Sequence, residues 1–271
     1  MRVKHLMLNS RYLAFSVVIL ALLASLVSCT SSKHADMNNV DAVSQVGEPP
    51  NFSEIEDITE RKKLFFAYMK EGIKYENAVI QAHRTSIVNI QQRWNKDGSL
   101  KKADVPYLKD VAKKYKLSFS VAKLNNAWFN TLLKRVDVIP PALALVQSAL
   151  ESAWGTSRFA TEGNNFFGQW CYKKGCGIVP AQRVSGKSHE VKKFTSAQQS
   201  IHEYFMNVNT NGAYKKLRDI RANLRKAGSD VMSDNNAKSL ANGLDKYSEL
   251  GVEYVDRVQS MVNHNQALWN N

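Results

Sequence analysis

A short apolar segment that carries one acidic residue constrains the fold of this chain most. Residues 142–154 contain almost only apolar and small side chains, and Glu151 is the single charged residue among them. Pro140 and Pro141 stand where proline is favoured, at the first turn of a helix, and Gly155 stands where a helix commonly ends. The segment therefore predicts a helix that has Glu151 in its last turn.

Helical patterning also covers most of the chain on either side of this segment. Apolar residues recur at spacings near three and four from Arg61 to Trp94, and residues 104–137 predict two further helices. A polar stretch with spaced valines follows residue 168 and runs to Phe194, which predicts a β-hairpin. Helical patterning then continues to the C-terminus. The predicted fold is mainly α (α+β), a helical domain with a small β-hairpin lobe, preceded by an N-terminal helical region.

The first 28 residues have the features of an export signal. Basic residues precede an almost purely apolar stretch from Leu13 to Val27, which is short for a membrane span. The stretch ends in Ser28-Cys29, which resembles the processing site of bacterial lipoproteins. We expect a signal peptide over 1–28, a lipid on Cys29 and, because Thr30 follows the cysteine, a periplasm-facing lipoprotein of the outer membrane. An ordinary signal peptide or a membrane anchor helix is the alternative.

The composition of the remaining chain suggests a tether and an anionic partner. Residues 29–60 are polar and predict a flexible tether, followed by an N-terminal helical region over 61–129. Without the signal the chain has 34 Lys and Arg against 24 Asp and Glu. This excess is either a solvated surface or a site for an anion. Nucleic acid is not expected outside the cytoplasm, whereas the peptide stems of the cell wall carry carboxylates.

Two cysteines remain once Cys29 is assigned to the lipid. Cys171 and Cys176 are separated by four residues that include a glycine, a gap that a disulfide loop can close outside the cytoplasm. A zinc site would need two more ligands, and only His189 is near in sequence. We therefore expect a disulfide, no metal site and no cofactor.

Glu151 has the surroundings of a general acid. Burial beside apolar groups raises the pKa of a carboxyl, and the negative end of a helix dipole acts in the same direction. A carboxyl that stays protonated near neutral pH can protonate the leaving oxygen of a glycosidic bond. The alternative is a structural glutamate bonded to a nearby Ser or Arg at the end of the helix.

Two motifs carry a resemblance to a known family. The string ALESAWG at 149–155, with NNFFG at 164–168, resembles the glucosaminidase domain of glycoside hydrolase family 73, and more closely the Bax-type proteins of Gram-negative bacteria. The resemblance covers roughly residues 130–268. It implies a lysozyme-like catalytic domain over 130–271, cleavage of the β-1,4 bond after N-acetylglucosamine in peptidoglycan glycan strands, and Glu151 as the catalytic acid.

The same resemblance implies a set of substrate-binding residues. The NNFFG motif suggests that Asn164, Asn165 and Phe167 line the cleft, although the asparagines can equally form a turn and at least one phenylalanine is expected in the core. Trp154 follows the acid closely. Tyr247 aligns with a tyrosine of the family that lines the site, although its spacing to the next tyrosine is one residue longer here.

The second carboxylate of the family is missing from its expected position. That position falls near Gln182 or Arg183, and neither side chain can act as a base. Glu190 is the only acid between Glu162 and Phe194, and it is either the replacement or a solvated strand residue. Without it, the acetamido group of the sugar could supply the nucleophile. A muramidase or lytic transglycosylase on the same scaffold, or a non-catalytic peptidoglycan-binding lipoprotein, remains an alternative.

The lipid anchor gives a first testable prediction. Replacing Cys29 with Ala removes the acceptor of the lipid, so the protein should leave the membrane fraction or fail to mature. Fractionation of cells followed by immunoblotting measures this directly. Membrane association that survives the Cys29→Ala substitution would refute the lipid assignment.

Overall fold

The computed structural model describes residues 44–181, 186 and 188–270. They belong to one compact unit of the chain. The predicted signal peptide, Cys29, the first part of the tether, and Gln182 and Arg183 lie outside the described residues. Within the described ranges, no helix combines the length and the apolar character that a membrane crossing needs.

The fold is mainly helical, with a small antiparallel sheet inserted between the fifth and sixth helices. In chain order the α-helices before the sheet are α1 Ile58–Asp97, α2 Asp104–Lys114, α3 Asn126–Arg135, α4 Pro141–Ser152 and α5 Arg158–Gly163. The strands are β1 Trp170–Cys171, β2 Gly177–Ile178 and β3 Glu190–Lys192. The helices after the sheet are α6 Ala197–Thr210, α7 Lys215–Lys226, α8 Asp234–Ala241 and α9 Val252–Asn265. This confirms the predicted lysozyme-like α+β class.

Helix α4 lies at the centre of the molecule. It packs against α1, α8 and α9, and almost all of its residues are buried, including the polar Gln147, Ser148 and Ser152. A helix without a solvated face must satisfy its polar side chains internally. Ser148 and Ser152 do so by donating to backbone oxygens one turn earlier. Because Ala153 and Trp154 are left-handed, α4 ends at Ser152 and not at Trp154 as predicted.

The long helix α1 is part of the same core and not a separate region. Phe65, Phe66 and Met69 are fully buried on the face that meets the rest of the core. The Asn77 amide donates to the backbone oxygen of Ile139 at 2.9 Å and accepts from its N–H at 3.0 Å. This pair of bonds fixes α1 to the residue that precedes the proline pair of α4.

The end of the predicted tether is also packed on the domain. Val46 and Phe52 are buried, and the Val46 N–H donates to the side chain of Gln198 on α6. A Cβ added to Gly155 would lie 2.4 Å from the Phe52 ring, and this glycine has φ +79°. The prediction of a flexible tether is therefore wrong for these residues, because Phe52 packs against the turn after α4 and Val46 packs beside Gly72 of α1.

The described part of the β-lobe contains three short strands and not a single hairpin. The central strand β3 pairs antiparallel with both β1 and β2, so that Val191 lies opposite Trp170 and Ile178. The strands of this lobe are only two or three residues long. Such short ladders need support from turns and side chains, and the disulfide and Glu190 described below supply it.

A buried charge cluster fixes the turn that leads into α4. Asp137 is almost fully buried and bonds to Arg225 at 2.6 Å, with Arg84 at 3.3 Å and Arg221 at 3.6 Å. The fully buried Arg221 also donates to the backbone oxygens of Val138 and Asp137. Burial alone would raise the pKa of Asp137, but the three guanidinium groups outweigh it and hold that pKa below its usual value.

Asp137 is therefore expected to contribute strongly to stability. Asp137→Asn leaves the buried Arg221 without a counter-charge and should lower the free energy of unfolding by about 3–5 kcal/mol. Since the pKa is depressed in the folded state, this contribution is complete above the unfolded pKa of about 3.9 and is lost as the pH falls through the lower folded value. Urea denaturation at several pH values measures both effects.

Asp219 offers a matched control for this substitution. It pairs with Lys134 and Lys215 on the surface, so Asp219→Asn should change the free energy of unfolding by less than about 1 kcal/mol. Equal losses for the two variants at neutral pH would contradict the assignment of Asp137 as a stabilising buried charge.

Candidate active site

Glu151 lies in the last turn of α4, where the helix reaches the surface. Glu151 is partly exposed, although most other residues of α4 are buried. Burial raises the pKa of Glu151, and a hydrogen bond from Tyr254 offsets part of that rise. The net direction is upward, so a larger share of this carboxyl is protonated near neutral pH than for an exposed glutamate. The group can therefore donate a proton to a bound substrate.

A chain of hydrogen bonds runs through the core to the Glu151 carboxyl. The Tyr204 hydroxyl donates to Gln147 Oε1 at 2.7 Å, Gln147 Nε2 donates to the Tyr254 hydroxyl at 3.0 Å, and that hydroxyl donates to Glu151 Oε1 at 2.8 Å. All three donors point towards the carboxyl, so each bond polarises the next. Because Oε1 accepts from Tyr254, the acidic proton of a neutral Glu151 is placed on Oε2.

Gly168 forms the wall opposite that second oxygen. A Cβ built on Gly168 would lie 2.8 Å from Glu151 Oε2, and the residue has φ +63°. A side chain at this position would therefore be strained and would collide with the acid. The last residue of the NNFFG motif is glycine because the backbone must turn in contact with Glu151.

Asn165, Phe166 and Phe167 of the motif are buried and build the wall. Asn165 is buried, donates to the backbone oxygens of Gln169 and Lys192, and accepts from the N–H groups of Phe167 and Gln169. The Phe167 ring is buried and stacks on Tyr204 with centroids 4.0 Å apart. The prediction that Asn165 and Phe167 bind substrate is replaced by a structural role, because all the bonding capacity of Asn165 is used within the loop.

Asn164 and Trp154 are both partly exposed and lie close in sequence to Gly168 and Glu151. Asn164 ends α5 with φ +49°, a left-handed conformation that asparagine tolerates, and remains partly exposed. The Trp154 ring makes edge contacts with Phe65 and Phe66 of α1, and Lys62 lies over it at 4.9 Å. Trp154 therefore packs against α1, whereas we had expected it to contact substrate.

Tyr247 connects the C-terminal part of the chain to the wall of the site. Its hydroxyl donates to the backbone oxygen of Phe167 at 2.8 Å, and its ring stacks on Tyr254 with centroids 5.3 Å apart. Burial raises the pKa of Tyr247 well above its usual value, so the phenol stays neutral and donates. Tyr247 holds Tyr254 and the NNFFG loop in place together.

Glu190 has a structural position in the β-lobe. It is 5% exposed, and its two oxygens accept hydrogen bonds from the N–H groups of Gly175 and Gly177 at 2.9 and 2.8 Å. A disulfide joins Cys171 and Cys176, with Cα atoms 6.2 Å apart. Glu190 therefore holds the disulfide loop, which argues against its predicted role as the second carboxylate.

The cluster of Cys171, Cys176 and Glu190 is also the one arrangement of potential metal ligands found within the described residues. Both sulfur atoms are used by the disulfide, so neither can act as a thiolate ligand. The carboxylate is used by the backbone of the same loop. This donor set does not suit a metal ion.

Sequence reasoning missed the residues that orient the acid. Gln147 precedes Glu151 by four residues and so lies on the same face of α4, and a lone amide in an apolar helix was the available signal. No local pattern marks Tyr254 as a partner of Glu151. Its contact with Glu151 spans 103 residues and could not be read from local sequence.

Comparison with known proteins identifies the class to which this fold and site belong. The model of the glucosaminidase family, described as mannosyl-glycoprotein endo-beta-N-acetylglucosaminidase, matches residues 126–267. The chain belongs to this family, which supports a glycoside hydrolase with a glycan as its ligand.

A curated relative supports the same assignment over a longer part of the chain. The protein is 37% identical to Protein bax of Escherichia coli (strain K12) over 210 residues, which cover 78% of this chain and 72% of the relative. No solved structure matches the chain significantly. The similarity therefore extends beyond the family domain into the N-terminal helical region.

The hydrogen bond from Tyr254 predicts a measurable change in pH dependence. Tyr254→Phe removes the donor that stabilises ionised Glu151, so the pKa of this carboxyl should rise and the basic limb of the kcat/KM profile should move to higher pH. Loss of orientation should lower kcat about tenfold, the equivalent of one hydrogen bond. Tyr204→Phe, two bonds further away, should move the limb less. An unchanged basic limb in Tyr254→Phe would disprove the coupling.

Proposed function

We propose that this protein is a peptidoglycan hydrolase, an endo-β-N-acetylglucosaminidase of glycoside hydrolase family 73 that cleaves the β-1,4 bond after N-acetylglucosamine. Glu151 is the general acid. The observation that carries the proposal is the carboxyl of Glu151 at the surface end of a buried helix, with its pKa raised by burial and its Oε1 held by Tyr254. The match to the glucosaminidase family supports the choice of a glycan as substrate.

In the first step Glu151 donates its proton to the leaving oxygen. The hydrogen bond from Tyr254 fixes the carboxyl and leaves the proton on Oε2, beside the backbone of Gly168. The carboxylate that forms is stabilised by the same hydrogen bond, which strengthens as negative charge develops on Oε1. Tyr254 therefore favours the state that follows proton transfer.

The nucleophile is expected to come from the substrate. Glu190 is occupied by the disulfide loop, and glutamine and arginine stand where the family has its second carboxylate. The acetamido group of N-acetylglucosamine can attack the adjacent anomeric carbon, so that no side chain of the protein has to act as the nucleophile. After departure of the leaving group, ionised Glu151 can accept a proton from the water that opens the intermediate.

Export to the periplasm would bring the protein to peptidoglycan. The sequence features of the first 29 residues support export and a lipid on Cys29. A lipoprotein that faces the periplasm, anchored in the outer membrane, meets peptidoglycan directly. The disulfide of the β-lobe is compatible with such an oxidising compartment.

Substitution of the two glutamates tests the mechanism. Glu151→Gln keeps shape but removes the transferable proton, so kcat should fall at least ~100-fold on purified sacculi, with an unchanged melting temperature. Glu190→Gln should stay within a few-fold of wild-type kcat but should lower the melting temperature, because an amide nitrogen would face a backbone N–H. A folded Glu151→Gln protein with normal activity would exclude the proposed site.

The reducing ends of the products decide which bond is cut. N-acetylglucosamine ends are expected. N-acetylmuramic acid ends would show a muramidase, and anhydro-sugar ends a lytic transglycosylase. Binding to sacculi without any new reducing end would show a non-catalytic lipoprotein. Mass spectrometry of the digest separates these outcomes.

A further inference from the structure

A basic cavity of about 430 Å³ lies on the surface beside the candidate active site. The end of α2, the β-lobe and α6 form its walls. Lys114, Lys116 and Lys192 line it, together with His202, and Glu203 is the one acid among its described lining residues. The site of glycan cleavage uses none of these residues, so the cavity has no role in the mechanism described above.

The positive charge of the cavity is only partly neutralised. Glu203 pairs with Lys192 at 3.3 Å, and the buried Glu76 accepts from Gln198 and lies 3.0 Å from His202 Nδ1. Lys114 and Lys116 are exposed and form no ion pair with any described residue. Two lysines without an ion pair among the described residues therefore line a cavity of about 430 Å³.

Two residues that line the cavity directly follow the wall of the candidate active site in the sequence. Gln169 and Trp170 line it and follow directly after Gly168, whose backbone contacts Glu151. The Trp170 ring is 50% exposed and is stacked on His189 at 4.0 Å. Gln169 Oε1 accepts no hydrogen bond from the described residues, so its carboxamide can turn towards a ligand without losing an internal bond there.

We propose that this cavity binds the carboxylates of the peptide stems that are attached to the glycan strand. The inference rests on the proposed function and adds a second part of the substrate to it. A stem is a short peptide with several carboxylates, and flexible lysines bind such groups as point charges without fixed geometry. Gln169 supplies an amide for the peptide backbone, and Trp170 supplies a rigid apolar face. The enzyme thereby selects glycan that still carries peptide.

Paired kinetic measurements test this selection. The substrates are soluble glycan strands with intact stems and the same strands stripped of peptide by an amidase. In the full-length double variant Lys114→Gln/Lys116→Gln, the ratio of kcat/KM for the first substrate to that for the second should fall about fivefold to tenfold, as expected for two exposed charge pairs. The double variant Lys101→Gln/Lys102→Gln, with the same loss of charge just before α2, should keep the wild-type ratio.

A binding measurement keeps the test independent of glucosaminidase activity. The probes are a synthetic stem-type pentapeptide with free carboxylates, its fully amidated form and inorganic phosphate, titrated into the full-length protein by calorimetry. The free acid should bind at least about fivefold more tightly than the amidated form, and the Lys114/Lys116 variant should lose this difference.

Three outcomes would overturn the proposal. These are equal affinity for the two peptides, displacement of the peptide by an equal concentration of phosphate, and an equal loss of selectivity in the Lys101/Lys102 control. Absence of glycan cleavage by the wild-type protein would reject the proposed function alone, because peptide binding would still be decided by calorimetry.

Discussion

The structure is organised around one helix that has no solvated face. Because α4 is enclosed by α1, α8 and α9, every polar group on it must find its partner inside the protein. Gln147 meets this demand through Tyr204 and Tyr254, and Tyr254 passes the bond on to Glu151. The need to satisfy one buried amide therefore orients the Glu151 carboxyl through Tyr254.

The two ends of this helix are held by different kinds of interaction. Its start is held by ion pairs between Asp137, in the preceding turn, and three arginines. Hydrogen bonds between Asn77 of α1 and Ile139 hold the same turn. Its end is fixed by backbone geometry, since left-handed residues reverse the chain and Gly155 allows Phe52 to pack closely. A shift at either end would displace Glu151 relative to the β-lobe, which explains why helices outside the family domain contribute to the same core.

The β-lobe is stabilised by two polar side chains, Asn165 and Glu190, that the sequence alone suggests as functional residues. Asn165 and Glu190 are both polar, both lie in the region that a resemblance assigns to the cleft, and both are consumed by backbone hydrogen bonds within the lobe. Strands of two or three residues cannot hold a loop by their own ladders. The lobe therefore uses these side chains and the disulfide to hold its own shape.

The sequence by itself determined the mainly helical class, the helix that ends near Glu151, the β-lobe and the position of the acid, because these follow from local periodicity and short motifs. The tertiary structure alone decided the roles of Tyr254 and Glu190. The sequence pattern around a carboxylate in a strand is the same whether the side chain contacts a substrate or the protein backbone. The contact of Tyr254 with Glu151 joins residues 103 positions apart. Local patterns carry no information about such pairings, since they arise only when buried polar groups must find partners across the core.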